Sequence, residues 1–200
     1  MLKRFMLIVG LLMVVLPLNA ADQKEKTDKH TIRPALLVID IQNQFLPYMD
    51  EREKSLGLEM INGAIFLFRQ KGFPIIAVHH TDLQWGPEVG SEGYQFPESI
   101  QISEDDPVIL KHYPNAFKKT ALDSLLQSMD VNTLYLTGLS SVACVLATYF
   151  GAADLDYNAF MIRDAIMSHD AELTDFVEKA FDIVTWEGLK LELESASDHP

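Results

Sequence analysis

The chain has 200 residues, 48% hydrophobic and 22% charged. That suits one globular domain with a real core and excludes a collagen-like or disordered chain. Sixteen basic and 29 acidic residues give a formal charge of −13. A surface that acidic repels phosphate backbones and anionic membranes, which argues against nucleic acid as a partner. The single cysteine, Cys144, rules out an intrachain disulfide. It leaves packing, an intermolecular bridge or a reactive thiol as its possible uses.

At the amino end, Lys3 and Arg4 precede an apolar run over residues 5–16, followed by Pro17-Leu18-Asn19-Ala20-Ala21. The run is shorter than the ~20 residues needed to cross a bilayer as a helix. Charged, apolar and small-residue segments in that order predict a signal peptide over residues 1–20. The expected location is therefore periplasmic or secreted, with no membrane attachment after cleavage. Residues 21–32 are polar, without apolar periodicity, and predict a flexible lead-in. The expected domain runs over residues 33–190, and residues 191–200 read as an acidic tail.

The body alternates strand and helix. Residues 35–41 form a continuous apolar run around Asp40, the pattern of a strand buried on both faces. Helical periodicity over residues 58–71 stops at Gly72. Residues 74–79 predict a second strand, and residues 81–102 a long loop rich in glycine, proline and aromatics; loops of that length are often functional. A third strand over residues 107–111 ends at Lys111. A helix over 122–129, a fourth strand over 133–138 and an apolar helix over 142–153 follow. A fifth strand is expected over 159–164, a helix over 171–181 and a sixth strand over 182–186. Six strands separated by helices predict a three-layer α/β/α domain with a mostly parallel, Rossmann-like sheet.

Ligands of such sheets bind at the carboxyl ends of the strands. That edge collects Asp40, Lys111 and the turn carrying Cys144. A thiol near a helix amino end and beside an ammonium is expected to have a lowered pKa. Asp40 could take the thiol proton and return it to a leaving amine. Together the three would form a nucleophilic site for a carbonyl carbon. The same residues also fit a bland arrangement, with Cys144 packed, Asp40 capping a turn and Lys111 on the surface.

Three segments carry a resemblance. Leu37-Val38-Ile39-Asp40-Ile41-Gln42-Asn43-Gln44-Phe45 resembles the hydrophobic-Asp-x-Gln-Asn-Asp-Phe opening of the isochorismatase-like cysteine hydrolases. Residues 109–117, Ile-Leu-Lys-His-Tyr-Pro-Asn-Ala-Phe, resemble that family's lysine segment. Residues 137–145 resemble its Gly-x-x-Thr-x-x-Cys-Val nucleophile turn. The segments lie in the family's order and span about residues 33 to 190. Gln44 stands where the family usually has Asp, Ser141 where Thr is usual, and Val142 where an acid is common; these departures blur the substrate assignment.

The resemblance implies the isochorismatase-like hydrolase fold, a homo-oligomer and an Asp40-Lys111-Cys144 triad. It also implies a cis peptide at Leu139-Ser140 and an oxyanion hole from the amides of Ser140 and Cys144. The implied activity is hydrolysis of a carbon–nitrogen bond in a small amide, ureide or imide through a thioester. Family members that cleave a vinyl ether generally lack the cysteine. An isochorismatase or other ether hydrolase, or a non-catalytic exported binding protein of the same fold, are the alternatives.

No metal and no other cofactor are expected. The family's metal-binding branch uses an Asp-x-His pair and a further His, whereas here no histidine lies between His80 and His112. His79 and His80, adjacent on a strand, point to opposite faces. The loop over residues 86–94 resembles that of metal-free members. Phe45, His79, Trp85, Tyr113 and Phe117 are the candidate substrate contacts.

Overall fold

The computed structural model describes residues 31–197 apart from Leu83 and Trp85. The expected signal peptide, nearly all of the lead-in and the Trp85 contact fall outside the described residues. Six strands form one sheet: β1 (Pro34–Ile39), β2 (Ile75–His80), β3 (Val108–Lys111), β4 (Thr133–Leu139), β5 (Asn158–Met167) and β6 (Ile183–Val184). Their order is β3-β2-β1-β4-β5-β6. Every pairing is parallel, so the mostly parallel expectation resolves to a wholly parallel sheet.

Five helices cover the two faces: α1 (Glu51–Lys71), α2 (Leu122–Ser128), α3 (Leu146–Ala153), α4 (Ala171–Ala180) and α5 (Trp186–Ser197). Alternation along β1 explains the three layers. Leu36 and Val38 pack with Ile61, Ile65 and Phe68 of α1 and Leu189 and Leu193 of α5. Ala35, Leu37 and Ile39 pack with Leu122, Leu126, Ala152 and Val177 of α2, α3 and α4. A strand apolar at every position is thus one buried on both sides. Among the described residues no helix is long and apolar enough to cross a membrane.

The boundaries at α1 and at β6 differ from expectation for physical reasons. Helix α1 begins at Glu51, because the Asp50 side chain accepts hydrogen bonds from the amides of Arg52 and Glu53. Its first turn is charged, so apolar spacing could not reveal it. At the other end, β6 is only two residues long, and Trp186 opens α5. Residues 191–197 therefore belong to the packed domain, not to a tail. Leu189, Leu193 and Ala196 recur at helical spacing and are buried. Buried Tyr135 of β4 donates its hydroxyl to the Glu192 carboxylate of α5, and burial together with that carboxylate raises the phenol's pKa.

If α5 is an integral layer, Leu193→Ala should lower the free energy of unfolding by about 2–5 kcal/mol, as for other buried leucines. Equilibrium urea unfolding measures this; an unchanged midpoint would mark residues 191–197 as dispensable.

Candidate active site

The strand order reverses direction between β1 and β4, and a parallel sheet opens a crevice at the carboxyl ends of such a pair. β1 delivers Asp40 there and β4 delivers the turn that carries Cys144. The two strands come unusually close: a Cβ on Gly138 would lie 2.0 Å from the Ile39 carbonyl oxygen, and Gly138 has φ +113°. Only glycine fits that position. The Leu139–Ser140 peptide bond is cis. A five-residue π-type turn, Ser141–Val145, then leads into α3.

Asp40 has φ +54°, a left-handed conformation that Asp tolerates better than most residues. By strict alternation its carboxylate would follow Val38 to the α1 side of the sheet. The left-handed turn breaks that alternation, and the carboxylate meets Lys111 on the other side. Lys111 ends β3, whose side chains alternate exposed and buried, and it occupies an inward position. Its ammonium is fully buried and donates to Asp40 Oδ2 at 2.6 Å.

The cysteine turn is pinned from behind. The Ser140 carbonyl accepts from the amides of Ala143 (2.9 Å) and Val145 (3.2 Å). The buried Ser141 hydroxyl lies 3.0 Å from Thr174 Oγ1. Thr174 Oγ1 in turn donates to Glu53 Oε2 at 3.0 Å. Glu53 also accepts from the Ser168 amide at 3.1 Å. This relay ties the turn to the first turns of α1 and α4. Burial raises the Glu53 pKa, opposed by those two hydrogen bonds.

Asp40, Lys111 and Cys144 are brought together, with His80 beside them. One polar atom of each of Asp40, His80 and Cys144 lies within 4.8 Å of the others. Asp40 Oδ1 is buried without a hydrogen-bond partner in good geometry, while the Cys144 thiol interacts with this carboxylate. Burial raises the Asp40 pKa and outweighs the attraction of Lys111. Burial first, and the Asp40 charge second, push the Cys144 thiol up to about 12, against the opposing pull of Lys111. The expected lowering of the thiol pKa is thus corrected. Lys111 is close, as supposed, but desolvation and the neighbouring carboxylate exceed its effect.

The same cluster does not fit a divalent metal. The Lys111 ammonium already stands 2.6 Å from Asp40 Oδ2 and 3.1 Å from His80 Nδ1. A second cation there would face like charge. Asp82, the carboxylate two residues past His80, is engaged by His80 Nε2 and by the amides of Gln84 and Gly86.

A cavity of about 250 Å³ opens onto the thiol, lined by Asp40, Phe45, Tyr48, Met49, His80, Leu139, Ser140, Ala143 and Cys144. That lies near the lower end of the ~300–1,000 Å³ usual for ligand sites. Of the candidate substrate contacts, Phe45 is on its wall. His79 is not: it faces the α1 side, stacks on Phe96 with ring centroids 4.2 Å apart, and meets the Tyr94 carbonyl through Nδ1. Its buried position also lowers its pKa. Tyr113 lies beneath Lys118 and Lys119 outside the cavity. Phe117 stacks on Tyr157 against the core. Sequence reasoning chose the wrong member of the His79-His80 pair and missed Tyr48 and Met49. The register that pairs His80 with Lys111 singles out the former, and it exists only in the folded sheet.

Fold and site together define a parallel α/β domain with an acid, an ammonium and a thiol at its topological switch point. The Isochorismatase domain family matches residues 34–186, and the chain belongs to that family. It is 32% identical over 151 residues to the uncharacterized isochorismatase family protein YddQ of Bacillus subtilis, covering 73% of this chain and 84% of that one. A probable inactive nicotinamidase of Arabidopsis thaliana is 30% identical, covering 70% and 83%. The maleamate amidohydrolase of Pseudomonas putida is 25% identical, covering 76% and 83%. Among solved structures, N-carbamoylsarcosine amidase from Thermoplasma acidophilum superposes with a TM-score of 0.66 at 26% identity, covering 77% of this chain and 95% of that one. The family thus includes amidohydrolase relatives of this chain.

If Asp40 is a main cause of the high thiol pKa, Asp40→Asn should lower it and speed alkylation of Cys144 by iodoacetamide at pH 7. Each unit of lowering gives about tenfold more thiolate. An unchanged rate in a variant with wild-type circular dichroism would show that the carboxylate does not hold the proton on sulfur.

Proposed function

We propose that the protein is an exported cysteine hydrolase that cleaves a carbon–nitrogen bond of a small amide, ureide or imide. The observation that carries this reading is the meeting of Asp40 and Cys144 on the wall of one small, largely apolar cavity, with the buried Lys111 ammonium paired to Asp40 behind them. The high thiol pKa makes Cys144 a resting thiol, so its nucleophile is generated during the reaction. Asp40, whose own pKa is raised by burial, is suited to take the thiol proton and release it again.

In the proposed cycle, the Cys144 proton moves to Asp40 as sulfur attacks the carbonyl carbon. The Lys111 ammonium, no longer balanced by a carboxylate, then faces the charge developing on sulfur. The amides of Ser140 and Cys144 hold the oxyanion; one such donor is typically worth ~3–4 kcal/mol. Collapse breaks the carbon–nitrogen bond, and Asp40 returns the proton to the leaving amine. Water, deprotonated by Asp40, hydrolyses the thioester and regenerates the thiol. The apolar wall formed by Phe45, Tyr48, Met49, Leu139 and Ala143 favours a compact substrate.

The same reading makes residues 1–20 a cleaved leader, the protein periplasmic or secreted, and its assembly a homo-oligomer. Its amidohydrolase relatives support the carbon–nitrogen chemistry. The chain retains Cys144, which disfavours the ether-cleaving alternative.

The test is ammonia release from a panel of small amides and ureides. At least one should be turned over by the wild type, and a Cys144-bound acyl group should appear by mass spectrometry after acid quench. Cys144→Ala should retain the fold and lose turnover. Undiminished turnover by that variant would end this mechanism, and binding without turnover across the panel would favour a binding protein.

A further inference from the structure

We propose that His80 and Asp82 form a positioning pair for Lys111, fixing the rotation of its ammonium so that one N–H is left for the Cys144 sulfur. This rests on the cysteine-hydrolase reading and deepens it. A buried ammonium carries three donors and no acceptor, and each donor left without a partner is costly. Lys111 is fully buried. One N–H goes to Asp40 Oδ2 at 2.6 Å, and a second to His80 Nδ1 at 3.1 Å. That leaves the third for the Cys144 thiol, whose proton the neighbouring Lys111 charge helps to release.

Sheet register makes this arrangement rigid. His80 ends β2 and is the parallel partner of Lys111, and the Thr81 amide donates to the Lys111 carbonyl at 3.0 Å. The backbone of His80 is held in turn by Gln42, whose side chain accepts from its amide at 2.7 Å and donates to its carbonyl at 3.0 Å.

The chemistry of the ring is equally constrained. An ammonium can only donate, so Nδ1 must accept and the ring hydrogen sits on Nε2. Asp82 selects that tautomer, because its Oδ2 lies 2.7 Å from Nε2. Asp82 cannot swing away freely: its Oδ1 accepts from the amides of Gln84 at 2.7 Å and Gly86 at 3.2 Å. The neighbouring His79 has the opposite requirement, since its Nδ1 faces a carbonyl and must donate.

The pair supplies something Asp40 cannot. In the proposed cycle a proton leaves sulfur for the Asp40 carboxylate as sulfur attacks, and the negative charge passes from Asp40 by way of sulfur to the carbonyl oxygen. Lys111 keeps its protons throughout. As Asp40 alternates between anion and acid, its hold on the ammonium weakens and recovers. His80 is an acceptor whose charge does not change, so the ammonium stays in place while its anionic partner switches.

The test combines spectroscopy with kinetics. In protein labelled with 15N-histidine, long-range 1H–15N correlation at pH 7 should show one neutral histidine with hydrogen on Nε2 and an accepting Nδ1, lost in His80→Asn. A His80 signal with hydrogen on Nδ1, or on both nitrogens, would overturn the proposal. His80→Leu should lower kcat by roughly a hundredfold, the scale of a small misplacement at a reacting centre, while KM changes by less than about threefold, as for a loss felt only in the transition state. His80→Asn, whose amide oxygen can replace Nδ1 as acceptor, should recover most of that loss. Asp82→Ala should free the ring to rotate away from Lys111 and lower kcat about tenfold, and it stands in if His80→Leu does not fold. Wild-type kcat in a folded His80→Leu or Asp82→Ala variant would also overturn the proposal. If the wild type turns over no substrate, the hydrolase reading fails, whereas the tautomer still decides whether His80 holds Lys111.

Discussion

The site depends on one interaction, an ammonium and a carboxylate held together away from water. Removing charges from solvent costs several kcal/mol per ion even after relaxation, and a buried pair persists only where geometry and further hydrogen bonds offset that cost. Lys111 and Asp40 meet these conditions at 2.6 Å, with His80 as a further partner for the ammonium. Cys144 is added to this pair and inherits its electrostatics. Partly buried beside a carboxylate, the thiol keeps its proton at rest. Held in that way, a thiol is less exposed to adventitious oxidation than a standing thiolate, because reactivity follows thiolate character and access.

The backbone supplies the precision that such a pair needs. The backbone leaves ordinary strand geometry at three places where β1 and β4 end. Asp40 turns left-handed, Gly138 lets the two strands approach, and the Leu139–Ser140 peptide is cis. The turn that follows is anchored through Ser141, Thr174 and Glu53, which draws α1 and α4 into the support of the cysteine. The two faces of the sheet therefore divide the labour. One carries packing against α1 and α5, and the other carries the ion pair and the thiol alongside α2, α3 and α4.

Family membership narrows the chemistry without naming the substrate. Its relatives include amidohydrolases and a protein described as probably inactive. The cavity beside the thiol has a largely apolar wall. Here that wall is built from residues just after Asp40 and from the nucleophile turn, with exposed Tyr48 at its rim.

Much of this protein was legible in its sequence because strand burial and helix spacing are local, periodic signals. The uninterrupted apolar run before Asp40, the alternation of strand and helix, and the glycine-containing turn before Cys144 defined the parallel α/β fold and the edge where the site would lie. What lacked local periodicity was misread: the charged first turn of α1 and the short β6. Tertiary structure alone decided that His80, and not His79, faces Lys111, because a strand offers alternate residues to opposite faces and only the register of β2 on β3 says which face matters. It also decided the sign of the Cys144 shift. A sequence names the charges near a thiol, but their balance depends on distance and on how completely water is excluded, and both are properties of the folded chain.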